Sequence, residues 1–298
     1  FTFATSGNSG TEVPIWLWAV FALGVLALLG IDMWSYRGEH KEDHAKDFRW
    51  TVIWIAIGVC FGGVVWAVSG PNTGQEYFGA YAIEKGLSLD NIFLFLLIFR
   101  GLKIPKEEQH DVLFWGVLGA VVFRGVFILL GVRALERWEW VTYIFAAILL
   151  YAAWKAFRED PSQSHGESRT LNWLQRKLKV ETDAPAGKFV TRTSDGWAAT
   201  PLLVALIAIE LTDVMFAVDS VPAALSISSN TFVVFTSNIF AILGLRALYL
   251  YCAGKLESLR YLHYGLAAVL AFAALKILAH DLVEVPPLLS AFIVVSLI

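Results

Sequence analysis

Charge is what this sequence has least of. Only 16% of its 298 residues are Asp, Glu, Lys or Arg, against 57% apolar. A soluble single domain is not composed this way, and no nucleic-acid partner is expected of it. Cysteine is scarcer still. Cys60 and Cys252 lie in or at the ends of apolar segments, and two thiols make no disulfide framework, so they read as packing residues. The six histidines all fall in loops or at segment ends, which leaves the apolar interior almost without soft metal donors. No basic stretch precedes the first apolar segment and no small-residue cleavage site follows it, so no cleavable signal peptide is expected.

What the chain has instead is a series of apolar windows, each about 20 residues long. They lie at residues 14–33, 50–68, 76–99, 112–132, 138–157, 200–227, 232–252, 264–279 and 286–298. Such windows are too long and too evenly apolar for tilted barrel strands. They must be helices, because lipid offers no partner to a free backbone group. The predicted fold is all-α, a polytopic membrane protein of about nine transmembrane helices seated in the lipid bilayer.

Lys and Arg gather in alternate connections. Four follow the first window, three the third, two the seventh, and seven lie between Arg158 and Arg192; the fourth window is followed by two, the second, sixth and eighth by none. The positive-inside rule then puts the odd-numbered connections in the cytoplasm, the N-terminus outside and the C-terminus inside. Residues 158–199 read as a cytoplasmic linker, and LNWLQRKLKV within it suits a short amphipathic helix on the inner leaflet. The run GEHKEDH at 38–44 sets His40 and His44 four apart, on one face if helical. A charge-rich cytoplasmic connection is ordinarily a solvated loop, which is the preferred reading.

In this setting acids need explaining. The segment IAIELTDVMFAVDSVPAAL, residues 207–225, holds Glu210, Asp213 and Asp219, although a carboxylate in a bilayer is costly and usually marks an ion or proton path. EKGLSLDNIF, from Glu84, and DVMFAVDSVP, from Asp213, share a pattern: an acid, five residues, then Asp and a small polar residue. These are Glu84, Asp90 and Asn91 in one, Asp213, Asp219 and Ser220 in the other. The next window in each half carries an isolated arginine, Arg124 or Arg246, and the one after ends with Lys155 or Lys276.

Windows three to five therefore repeat as six to eight. An odd unit must cross in opposite directions, which is the inverted repeat of secondary transporters with a site near the midplane. The expected organisation is 1–69, two spans with a cytoplasmic loop; 70–157, the first repeat; 158–199, the linker; 200–280, the inverted second repeat; and 281–298, the start of the last span. On an ideal helix, positions six apart lie roughly 240° around and about 9 Å along, so Glu84 and Asp90 would not share a face. Gly86 and Pro222 permit local unwinding, and a broken helix that aims both acids into one cavity is the expectation.

The acids outnumber the mid-membrane bases Lys85, Arg124 and Arg246 even when every pairing is allowed, and a surplus of negative charge calls for a cation. Neutral carboxyls serving a proton relay remain an alternative. The donors are carboxylates from Glu84, Asp90, Glu210, Asp213 and Asp219, and oxygens from Asn91, Ser220, Thr236, Ser237 and Asn238. Hard oxygen donors suit magnesium, calcium and manganese, and the residues alone do not choose among them. Arg124 and Arg246 are expected to be structural counter-ions for the acidic helices. Asp32, near the inner end of the first window, is either where a cation first enters or a solvated interfacial residue.

EKGLSLDNIF, ELTDVMFAVDSVPA and FTSNIFAILGLRALY closely resemble the signature segments of the TerC family of integral membrane proteins, its Alx branch included. The resemblance runs over essentially the whole chain. It implies a cation transporter exporting manganese from the cytoplasm, with tellurite resistance linked to some members. It also implies that Glu84, Asp90, Asp213 and Asp219 form the metal site, with Asn91 and Asn238 as companions. Some members are proposed to deliver metal to exported proteins at the secretion machinery, and others are plastid proteins.

The resulting expectation is a non-enzymatic exporter of Mn2+ in a bacterial inner membrane, with no resident cofactor and with proton antiport as a natural coupling. An intramembrane aspartyl protease is the rival from another class, but no Gly-x-Gly-Asp occurs and the acids form too large a symmetric set.

Overall fold

The computed structural model describes residues 15–35, 44–138, 140–158, 173–174, 178, 180–181, 187–193, 196–252, 262–279 and 285–297. The side chains of Asp90, His44 and a few other helical residues lie outside that description, as does His40. Ten helices are described: α1 Ile15–Ser35, α2 His44–Ser69, α3 Pro71–Gly101, α4 Lys106–Arg137, α5 Val141–Arg158, α6 Pro201–Leu225, α7 Thr231–Leu243, α8 Leu245–Cys252, α9 Leu262–Leu278 and α10 Pro287–Leu297. Among the described residues, six segments are long and apolar enough to cross a membrane: α1, α2, α4, α5, α6 and the α7–α8 pair. Helices α3, α9 and α10 lie over the third, eighth and ninth windows. Large apolar side chains face outward along these segments, including Leu23 and Leu26 on α1 and Val122, Val126 and Leu130 on α4. Lipid is the solvent that such a surface fits.

Several helices outrun their windows. Helix α4 has 32 residues, about 48 Å at 1.5 Å per residue, against a hydrocarbon core about 30 Å thick. An apolar window measures the slab, whereas the hydrogen-bonded ladder continues into the headgroups. Helix α3 starts at Pro71, whose missing N–H costs nothing at a first helical position.

Two expectations are corrected. Helix α3 runs unbroken past Gly86, and α6 unbroken past Pro222, so no unwinding brings Glu84 and Asp90 to one face. The linker is also partly folded: strands β1 Val190–Thr193 and β2 Gly196–Ala199 pair antiparallel. Gly196 has φ +119°, a backbone conformation that glycine adopts without a Cβ clash. Most of LNWLQRKLKV lies outside the described residues, but Leu174 is buried in the protein core and not turned to lipid.

The α7–α8 segment is 89% buried, which makes it the central span. Gly244 separates the two helices, and Trp54 and the Lys85 ammonium crowd the space a Cβ would take there. On α1, Leu17, Phe21, Val25 and Leu29 recur every four residues along its buried stripe, and Phe21 meets Phe61, Phe232 and Phe240 in an aromatic cluster. Around this centre α3 packs on α6, α7 and α9, α6 packs on α4 and α5, α4 packs on α7, and α5 lies along α9. Exchanging α3 with α6, α4 with α7 and α5 with α9 maps α4–α6 onto α7–α3 and α5–α6 onto α9–α3. These principal pairs are unchanged by that exchange, whereas the lesser α6–α9 and α4–α5 contacts have no counterpart of similar extent among the described residues.

Candidate functional site

Arg124 is the hub. It stands on the buried face of α4 with Val117, Ala120 and Ile128 at helical spacing, and it is 1% exposed. Its Nη1 donates to Glu84 Oε2 at 2.5 Å, and to Ser220 Oγ and Asn238 Oδ1 at 3.3 Å each. Its Nη2 donates to Asp213 Oδ1 at 3.0 Å, and Nε adds a bond to the same carboxylate at 3.2 Å. Glu84 is 0% and Asp213 2% exposed, so two buried carboxylates from α3 and α6 share one guanidinium. The cluster carries a net charge of about −1, and charge-assisted bonds of this kind are strong where water is excluded.

The spacing that brings these residues together is seven, not six. Glu84 and Asn91 on α3, and Asp213 and Ser220 on α6, are each two helical turns apart and share a face. Ser88, four residues after Glu84, falls on the same face of α3. Glu84 Oε1, Ser88 Oγ and both amide atoms of Asn91 are buried without a hydrogen-bond partner among the described residues, as is Asn238 Nδ2. Glu84 Oε1, Ser88 Oγ and Asn91 Oδ1, unpartnered among the described residues, suit a cation or bound water, because buried polar groups are otherwise almost always satisfied. Ser88 was missed in the sequence although its i, i+4, i+7 relation to Glu84 and Asn91 was there to find.

The remaining candidates are placed differently. Thr236 and Ser237 return their hydroxyls to their own helix, at Phe232 O and Val234 O. Asp219 is half-buried, and Arg124 bonds its neighbour Ser220. Glu210, one turn before Asp213, seats its carboxylate on the α4 backbone: a Cβ at Gly119 would lie 1.9 Å from Glu210 Oε1. Among the described residues no group of three or more His, Cys, Asp and Glu comes together; two of the predicted acids, Glu84 and Asp213, meet around an arginine. Arg124 therefore bridges the acidic helices, as a counter-ion would.

Arg246 does something else. Its Nη1 donates to Asp32 Oδ2 at 2.8 Å, and Nη2 lies 3.3 Å from His110 Nδ1. It ties α8 to α1 and α4, and Asp32 is a buried ion-pair partner, 5% exposed, and not a solvated mouth residue. Beside it Tyr249 donates to Gln109 Oε1 at 2.8 Å. Near the start of α3, Ser228 donates to Glu76 at 2.5 Å, and Lys276 on α9 reaches Ser290 on α10 at 3.0 Å. Lys85 donates to the carbonyl of Ala241. Nothing in the sequence joined Glu76 to Ser228, which are distant in the chain.

Residues 69–298 match the model of the integral membrane protein TerC family. An uncharacterized membrane protein of Myxococcus xanthus is 38% identical over 302 residues, covering 100% of this chain and 92% of its own length. A protein of Salmonella typhi named "Putative membrane-bound redox modulator Alx" is 35% identical, covering 95% of this chain and 91% of its own. The protein of the same name in Escherichia coli K12 shows the same identity and coverage. No solved structure matches. A family match over well over half of the chain, joined by relatives that align along nearly all of it, establishes that the chain belongs to the TerC family of integral membrane proteins.

Proposed function

We propose that this chain is a transporter that moves a hard divalent cation, manganese first among the candidates, out of the cytoplasm across a bacterial inner membrane. It does so as nine spans with the N-terminus outside and two inverted three-helix repeats. One observation carries the reading. Glu84 and Asp213, from the two copies of the acidic motif, meet at one buried point with Ser220 and Asn238. The principal helix pairings, though not the lesser α6–α9 and α4–α5 contacts, exchange with one another when the two halves are swapped, which supports the repeat.

Glu84, Asp213, Ser220 and Asn238 would replace the water shell of the ion, with Asn91 and Ser88 extending the oxygen donors along α3, and Asp90 and Asp219 completing the motif. Oxygen donors of this kind favour manganese, magnesium and calcium over zinc and copper. Carboxylates released by the departing metal take up protons, which makes proton antiport the natural coupling. A redox role of the kind that the Alx name carries would act through the same cation, since Cys60 and Cys252 form no disulfide with one another.

Flux into liposomes that contain only the purified protein is the test, comparing manganese with calcium, magnesium and zinc. Manganese flux lost in both Glu84→Gln and Asp213→Asn supports the reading. Tight binding with no flux under any gradient replaces it with a metal-delivery role alongside the secretion machinery. Equal flux with and without a pH gradient, at matched membrane potential, removes the proton coupling.

A further inference from the structure

The charge count of the central cluster poses a problem for any dication. With Arg124 in place Glu84 and Asp213 are half neutralised, and a divalent ion joining them would leave an excess positive charge beside the guanidinium. In a low-dielectric interior that repulsion is severe. Arg124 is buried and has no water to retreat into, so it needs a second buried acceptor.

Glu210 offers one. It lies three residues before Asp213 on α6, so it shares that face about 4.5 Å along the axis. Its carboxylate rests directly on α4 at Gly119, where a Cβ would sit 1.9 Å from Oε1 and 2.5 Å from Oε2. Gly119 is five residues before Arg124 on the same helix. Gly119 is thus about 140° around α4 from Arg124, and the approach to Glu210 runs along α6, one turn from the Asp213 that Arg124 already holds. Among the described residues Glu210 Oε2 is buried and has no hydrogen-bond partner, so an acceptor stands open one turn along α6 from the carboxylate that Arg124 holds. Only glycine at 119 leaves the space for it.

We propose that Arg124 is an exchangeable internal cation: it holds Glu84 and Asp213 when no metal is bound and moves to Glu210 when a divalent ion takes those carboxylates. Glu210 is then the second seat of the arginine charge and not a metal ligand. The inference rests on the cation reading above and assigns to Arg124, Glu210 and Gly119 a competition that sets metal affinity.

The test is a double-mutant cycle on the full chain in lipid nanodiscs, with manganese(II) chloride binding followed by calorimetry. Glu210→Gln strands Arg124 on the two acids and raises the manganese Kd at least tenfold. In an Arg124→Gln background the same change alters Kd less than twofold. Gly119→Ala displaces the Glu210 carboxylate and weakens binding in the same direction, again only while Arg124 is present. If Arg124→Gln does not fold, Arg124→Lys replaces it in the cycle; its shorter, unforked cation holds the acids less well, and the effect of Glu210→Gln falls at least threefold. A Glu210→Gln loss of equal size in both backgrounds would make Glu210 a ligand and overturn the proposal, as would no loss at all. No divalent-ion binding by the native chain would instead remove the transporter reading itself.

Discussion

Removing the guanidinium should unfold the centre of this protein before it does anything else. In Arg124→Met the α4 packing is kept, but Glu84 and Asp213 lose the cation that reaches them at 2.5 and 3.0 Å. Both carboxylates are nearly inaccessible, so water cannot replace it. Breaking a buried pair by deleting one partner costs about 3–5 kcal/mol, a loss on the order of 10 °C in thermal midpoint for a chain of this size. The assay is fluorescence-detected unfolding of the purified protein in detergent. Adding Glu84→Gln and Asp213→Asn to Arg124→Met removes the stranded charges and should restore most of the loss. Manganese should raise the midpoint of Arg124→Met more than that of the native chain, because a ligand bound only by the folded state stabilises it in proportion to its affinity. A midpoint for Arg124→Met within about 2 °C of native would refute the reasoning, since about 3 kcal/mol cannot hide in so small a shift.

Other expectations follow from the same contacts. Asp32→Asn breaks the pair with Arg246 and should cost about 3 kcal/mol, while Asp32→Asn with Arg246→Met should recover part of it; equal melting of all three proteins would show the pair to be idle. Gly74→Ala puts a methyl 2.8 Å from the Trp66 backbone Cα and should cost about 1–3 kcal/mol. Gly24→Ala meets nothing within 4 Å and should stabilise α1 by up to about 1 kcal/mol; the two substitutions shifting the midpoint alike would refute the packing account. Tyr249→Phe strands Gln109 Oε1 and should lower stability by about 1 kcal/mol with manganese affinity unchanged.

Much of the fold was legible because lipid permits so few backbone solutions. Each apolar window has a helix over it, and the errors lie where the slab stops dictating. Helix ends at His44, Gly101 and Lys106 fall in polar sequence outside the apolar windows, where hydropathy carries no signal. The β1–β2 hairpin had a local signal, Ser194, Asp195 and Gly196 between β-branched and aromatic residues, which fits a short hairpin connection; reading the whole stretch as linker obscured it. Leu174 was assigned to lipid because an amphipathic pattern shows that one face is buried without saying against what.

Four of the named candidates, Glu84, Asp213, Ser220 and Asn238, come together on Arg124, but not through the broken helix that was expected. Acid-plus-six is the pattern that the eye finds in EKGLSLD and DVMFAVD, and it demanded a broken helix because six residues turn through 240°. The structure keeps both helices whole, so residues seven apart share a face, Glu84 with Asn91 and Asp213 with Ser220. The repeated small polar residue after each Asp was therefore the geometric marker, and the intact ladder of α6 is what lets Asp213 and Ser220 both face Arg124. Acids also outnumbered bases along the chain, which pointed to a cation, but a surplus counted over the sequence does not locate it. At the point where the halves meet, one arginine already supplies half of the neutralising charge. On the proposed reading, metal binding here would be a contest with a built-in competitor, and affinity would be set as much by where Arg124 can go as by which oxygens await the ion.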